Sequence, residues 1–67
     1  MIILFNGEEI SLDTSMNLAE LLSQKKLLHT TGIAVAINQA VISKNDWTKT
    51  ALNNNDNILV ITATQGG

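Results

Sequence analysis

Asn6-Gly7 is the dipeptide that most limits how this chain can fold. A two-residue hairpin turn of type I′ needs positive φ at both central positions, and Asn followed by Gly meets that need best. The residues before it, 2–5, are apolar strand formers. Those after it, 8–13, alternate, with Ile10 and Leu12 on one side and Glu9 and Ser11 on the other. Two such runs around Asn-Gly read as a β-hairpin, so the chain is expected to open with one.

A helix is expected next. Asn17 is placed to cap it, and Glu20 stands three residues on, as in a capping box. Met16 and Leu21 have the spacing of a hydrophobic staple. Leu18, Leu21 and Leu22 repeat at helical spacing, the stem of Lys25 extends their stripe, and Lys25 and Lys26 stand near the end, where cations complement the helix dipole. The pattern predicts a helix to about residue 27, with its leucine face in the core.

Thr30-Thr31-Gly32 interrupts the pattern, and a short strand is expected over 33–37. Asn38-Gln39 then makes a turn into a partner strand over 40–42. Residues 43–52 read as irregular, with one turn of helix around Asp46-Trp47, and 53–56 as a loop. Residues 58–61 are apolar without a break, which fits a central strand buried on both faces. The leucine stripe must lie across a sheet face, because nothing else in the chain can cover it. With the last strand beside the first, the expectation is an α+β fold of the β-grasp (ubiquitin-like) type, a mixed four- to five-stranded sheet packed on one helix. The body is read as one domain over 1–64, with 65–67 a flexible C-terminal tail.

The chain has 67 residues. A domain of that size buries only about 60% of the surface its unfolded chain exposes. Ligand pockets run to roughly 300–1,000 Å³, more than such a core readily encloses, so a stand-alone enzyme is disfavoured. Without cysteine there is neither a disulfide framework nor a thiolate nucleophile. Four basic residues and a net charge of −2 do not suit a row of phosphates, so no nucleic-acid partner is expected. The apolar start lacks a basic leader and a cleavage site, and no apolar run approaches the roughly 20 residues of a membrane span. The expectation is a cytoplasmic protein without a membrane partner, monomeric when free.

The sequence also resembles the ThiS family, the sulfur carriers of thiamine thiazole biosynthesis, over essentially its whole length. The resemblance is carried by Ile3-Leu4-Phe5-Asn6-Gly7, by Leu18-Ala19-Glu20-Leu21-Leu22 and by Val35-Ala36-Ile37-Asn38. Trp47, the pair Asp56 and Ile58, and Gln65-Gly66-Gly67 complete it. There are two departures. Ser43-Lys44 stands where the family often has Pro-Arg before the tryptophan, a change on a possible docking surface. Asn55-Asp56 stands where it usually has Gly-Asp, a mild change, since Asn is the next-best residue for a left-handed turn.

The resemblance implies that Gly67 is the reacting residue. Its α-carboxyl, with a reference pKa of about 3.3–3.7, is anionic at pH 7 and can attack the α-phosphate of ATP held by another protein. Gly66 gives the carboxylate access to a narrow site, because glycine accepts almost any φ, and Gln65 marks the start of the tail. With glycine near 7% of residues, a Gly-Gly end arises by chance in roughly one chain in two hundred. The resemblance further implies a ThiF-type adenylyltransferase using ATP and Mg, a persulfide donor fed by a cysteine desulfurase, and thiazole synthase as sulfur acceptor. The carrier itself would hold no catalytic residue, no cofactor and no metal.

The remaining candidates have plainer readings. His29 is the only histidine and reads as solvated or capping. Asp13, Asp46 and Asp56 lie near turns, where Asp accepts backbone hydrogen bonds. Trp47 and Phe5 read as core, with partner contact a second reading for Trp47. Partner contacts are expected on the sheet face away from the helix and around the tail. The alternatives are a sulfur carrier for molybdopterin or tRNA thiolation, a ubiquitin-like modifier conjugated to lysines, and a β-grasp binding module with no carrier role.

Overall fold

In the computed structural model, residues 1–13 and 15–62 are described. The strands are β1 (Ile2–Phe5), β2 (Glu8–Ser11), β3 (Ile33–Ile37), β4 (Ala40–Ile42) and β5 (Asn57–Thr62), with one helix, α1 (Leu18–Gln24). They form a single sheet in the order β2-β1-β5-β3-β4. Both hairpins are antiparallel, β5 is antiparallel to β3, and β1 runs parallel to β5. A mixed five-stranded sheet holding one helix against one face is the β-grasp architecture.

Local chemistry makes each turn. Asn6 and Gly7 both have positive φ, 52° and 82°, as the type I′ turn requires. A Cβ on Gly7 would meet nothing within 4 Å, so backbone conformation selects glycine there, not space. The β3–β4 turn has the same form, with Asn38 at 51° and Gln39 at 73°. Asn55, standing in the place of a glycine, has a φ of 72°.

The helix begins with a complete capping box. The Asn17 side chain accepts from Glu20 N at 2.8 Å, and Glu20 Oε1 accepts from Asn17 N at 2.8 Å. The Asn17 amide also donates to Thr48 O, and Leu18 N donates to Thr50 O at 2.8 Å, so the first turn is tied to the segment before β5. Leu18, Leu21 and Leu22 are fully buried, and Met16 is packed against the same cluster. Burying a leucine contributes roughly 1.5–3 kcal/mol, whereas an isolated helix this short is unstable in water. The leucine stripe, not helix propensity, holds α1 in place.

The core lies between α1 and the inward side of the sheet. Phe5, Ile58 and Ile37 stand in register across three strands, and Val60, Val35 and Ile42 form the next inward row. Leu12, Trp47 and Leu52 belong to the same buried cluster. Phe5 is half-buried, and the Lys25 ammonium lies 5.4 Å from its ring centroid.

Four expectations need correction. The helix ends at Gln24 instead of near residue 27, because Lys26 turns left-handed at φ 62°. Lys26 N then donates to Ser23 O and Leu27 N to Leu22 O, the paired bonds of a Schellman ending, formed here without glycine. Lys25 and Lys26 therefore stand past the last turn. The second strand stops at Ser11, although Leu12 still exchanges bonds with Met1. The irregular stretch contains a 3-10 helix over Lys44–Lys49, longer than one turn. Finally, β5 is buried on one face only, since the single helix covers one side of the sheet; Leu59 and Ile61 are 47% and 52% exposed.

The turn residue Gln39 and the cap residue Asn17 give opposite expectations. Gln39→Gly should raise stability by about 0.5–1 kcal/mol, the left-handed penalty of a side chain outweighing the entropy of glycine. Asn17→Ala should lower it by about 1 kcal/mol. Urea midpoints at constant m value measure both.

Candidate functional site

The tail residues named from sequence, Gln65, Gly66 and Gly67, lie outside the described residues, as does the expected boundary after residue 64. What is described is the strand that leads to them and the surface beside it. β5 is the central strand, and its last residue, Thr62, pairs with Ile33 at the start of β3.

The start of β5 is fixed by a polar cluster around Asp56, the one buried charged side chain among the described residues. Its Oδ2 accepts from Asn53 N at 2.8 Å and its Oδ1 from Asn38 Nδ2 at 3.0 Å. Asn38 in turn accepts from Asn57 N through Oδ1, while its own N–H donates to Asn57 O. The 53–56 loop also grips β1: Ile2 N donates to Asn54 Oδ1, and Asn55 N donates to Ile2 O. Leu4 N donates to Asp56 O at 2.9 Å. Two neighbouring strands are thus pinned to β5 where it begins.

The far end of β5 is held on the β1 side by one residue. Asn6 N donates to Ile58 O at 2.9 Å, and Val60 N donates to Asn6 Oδ1 at 2.8 Å. Beyond Val60, the described pairing of β5 is to β3 alone, Ile61 with Ala34 and Thr62 with Ile33.

The face away from the helix is apolar. Leu59, Ala36 and Val41 lie in one cross-strand row, and Ile61 and Ala34 in the next. Ile2 and Leu4 of β1 are exposed as well, and Val41 is 76% exposed. Neighbouring exposed aliphatic side chains of this kind are a feature of contact surfaces for proteins, membranes or ligands. Periodicity could not name these residues, because β5 is apolar at inward and outward positions alike; the strand register names them.

The other candidates fall as follows. Trp47 is buried, with its indole N–H donating to Ile42 O at 3.0 Å, so it packs the core and offers no partner contact. His29 is exposed in a turn. Asp56 does the hydrogen bonding expected of an Asp near a turn. Among the described residues there is no cavity, and no three His, Cys, Asp or Glu stand close enough to hold a metal ion. No helix is long and apolar enough to cross a membrane.

A five-stranded β-grasp sheet whose central last strand leads to the C-terminal residues, beside an open apolar face, is a domain of the ubiquitin-like class. Within that class, the chain belongs to the ThiS family, whose sequence model matches residues 3–67 and so includes both terminal glycines. It is similar to the crystal structure of the thiamine biosynthesis protein (ThiS) from Geobacter metallireducens, with 26% identity over all of both chains and a TM-score of 0.86. It is also similar to the solution structure of a thiamine biosynthesis protein from the same organism, with 26% identity over all of this chain and 88% of that one, and a TM-score of 0.79. No curated protein sequence matches it.

Replacing Asp56 by Ala should cost about 2–3 kcal/mol, because the Asn53 N–H and the Asn38 amide both lose their acceptor. A double-mutant cycle with Asn38→Ala should show coupling of about 0.5–3 kcal/mol, read from urea unfolding.

Proposed function

We propose that this protein is a sulfur carrier for thiamine thiazole formation, with the Gly67 carboxylate as the reacting group. The observation that carries this reading is the match to the ThiS family through Gly67. The similar solved structures, both thiamine biosynthesis proteins, support the same pathway over molybdopterin or tRNA thiolation.

On this reading the carrier is a cosubstrate. In an adenylyltransferase of the ThiF type, supplied with ATP and Mg, a Gly67 carboxylate oxygen attacks the α-phosphorus and pyrophosphate leaves. A persulfide sulfur then attacks the acyl carbon and displaces AMP. A second partner thiol then attacks the donor-side sulfur of the resulting acyl disulfide, forming a disulfide with the donor and releasing the Gly67 thiocarboxylate that thiazole synthase consumes. Activation is needed because a free carboxylate is a poor acylating group.

The contributions of the chain are access and recognition. Gly66 and Gly67 carry no Cβ, so they fit a channel too narrow for other residues. The open face around Leu59, Ala36 and Val41 offers its partners an apolar contact beside the strand that leads to the reacting end.

Deleting Gly66-Gly67, or extending the chain past Gly67, should abolish ATP–pyrophosphate exchange by the adenylyltransferase; unimpaired exchange would sink the proposal. Intact mass after co-expression with the pathway enzymes should show one oxygen replaced by sulfur. Leu59→Asp should weaken binding to the adenylyltransferase by tenfold or more in titration calorimetry, about 1.4 kcal/mol, with the circular dichroism spectrum of the free carrier unchanged.

A further inference from the structure

In a regular parallel ladder, a residue that donates its N–H to one carbonyl of the neighbouring strand uses its own carbonyl to accept from the N–H two residues further along that strand. Leu4 and Asn6 are successive donors of this kind, to Asp56 O and Ile58 O. At Asn6 the chain turns away at φ 52°. The N–H of Val60, two residues past Ile58, is met instead by the Asn6 side-chain oxygen, at 2.8 Å. A side chain replaces the main chain, and the β1–β5 ladder gains one rung beyond the hairpin turn.

We propose that Asn6 is a positioning residue for the C-terminal end, fixing the line along which β5 delivers it; this rests on the carrier function proposed above. Two properties are needed at once: tolerance of the left-handed turn conformation and an acceptor one carbon from Cβ. Asn and Asp have both. Glycine has the first only, and Ser, with an acceptor hydroxyl, lacks the conformational preference. The Val60 N–H bond is the last described tether on the β1 side, after which Ile61 and Thr62 are held by β3 alone. Five residues follow Thr62. A chain of that length spans at most about 18 Å, so where β5 is anchored bounds where the carboxylate can reach.

Two variants separate the roles of Asn6. Asn6→Gly keeps the turn and removes the acceptor; Asn6→Asp keeps both. Nitrogen-15 relaxation and amide exchange on the free protein need no partner enzyme. In Asn6→Gly, exchange at Val60 should speed up and the order parameters of Ile61 and Thr62 should fall, while Asn6→Asp should keep wild-type values. In ATP–pyrophosphate exchange, Asn6→Gly should raise the KM for the carrier about three- to tenfold, the scale of one lost neutral hydrogen bond, with kcat unchanged and Asn6→Asp restoring the wild-type KM. Met16→Ala, which disturbs packing at the start of α1, controls for stability and should leave KM alone. Unchanged relaxation in Asn6→Gly, or an equal KM rise in Met16→Ala, overturns the positioning role. A wild-type carrier that is never adenylated overturns the carrier function instead, and the relaxation data then decide what Asn6 does to the strand.

Discussion

The parallel pairing of β1 with β5 is the constraint on which the rest of the molecule depends. A parallel pair cannot be closed by a tight turn; it needs a long crossover. Here the crossover contains the whole of the intervening chain, including α1, the β3–β4 hairpin and the 3-10 helix. The helix must lie across the sheet because its leucines have no other apolar surface to meet. The β3–β4 hairpin fills the free edge of β5. Hydrogen bonds from the 53–56 loop to Ile2 and Leu4 set the register of the pair, and Asn6 extends it at the other end.

Asparagine does much of this work. Asn6, Asn38 and Asn55 take left-handed positions, and the side chains of Asn6, Asn38 and Asn54 also bond a neighbouring strand. Asn17 caps the helix and reaches across to Thr48. A short polar side chain that tolerates positive φ and offers both a donor and an acceptor can make a turn and join it to the sheet. In a chain without disulfides, and with few charged groups, these bonds substitute for longer-range staples.

What was legible in the sequence is what depends on neighbours in the chain. Asn6-Gly7 announced its turn and Asn17 and Glu20 their capping box, because each rests on a few consecutive residues, whereas the left-handed turn at Asn55 was expected only through the family resemblance. The helix end was not legible, since Lys26 does what glycine does elsewhere and carries no such signal. The one-sided burial of β5 was hidden as well: Ile58, Leu59, Val60 and Ile61 are all apolar, and only tertiary packing decides which pair faces α1. For the candidate site, sequence resemblance named Gln65, Gly66 and Gly67, whereas the residues of the apolar sheet face, Leu59, Ala36 and Val41, were named only by strand register.

Placing the first and last strands together at the centre of the sheet also affects how the molecule is made. Contacts between residues far apart in sequence form slowly, because a long loop must close before they are gained. During synthesis, β2, α1 and the β3–β4 hairpin emerge before β5 exists, and without β5 the hairpins have no common sheet. The core therefore closes only after β5 has been made, so a product truncated before β5 lacks the body of the domain.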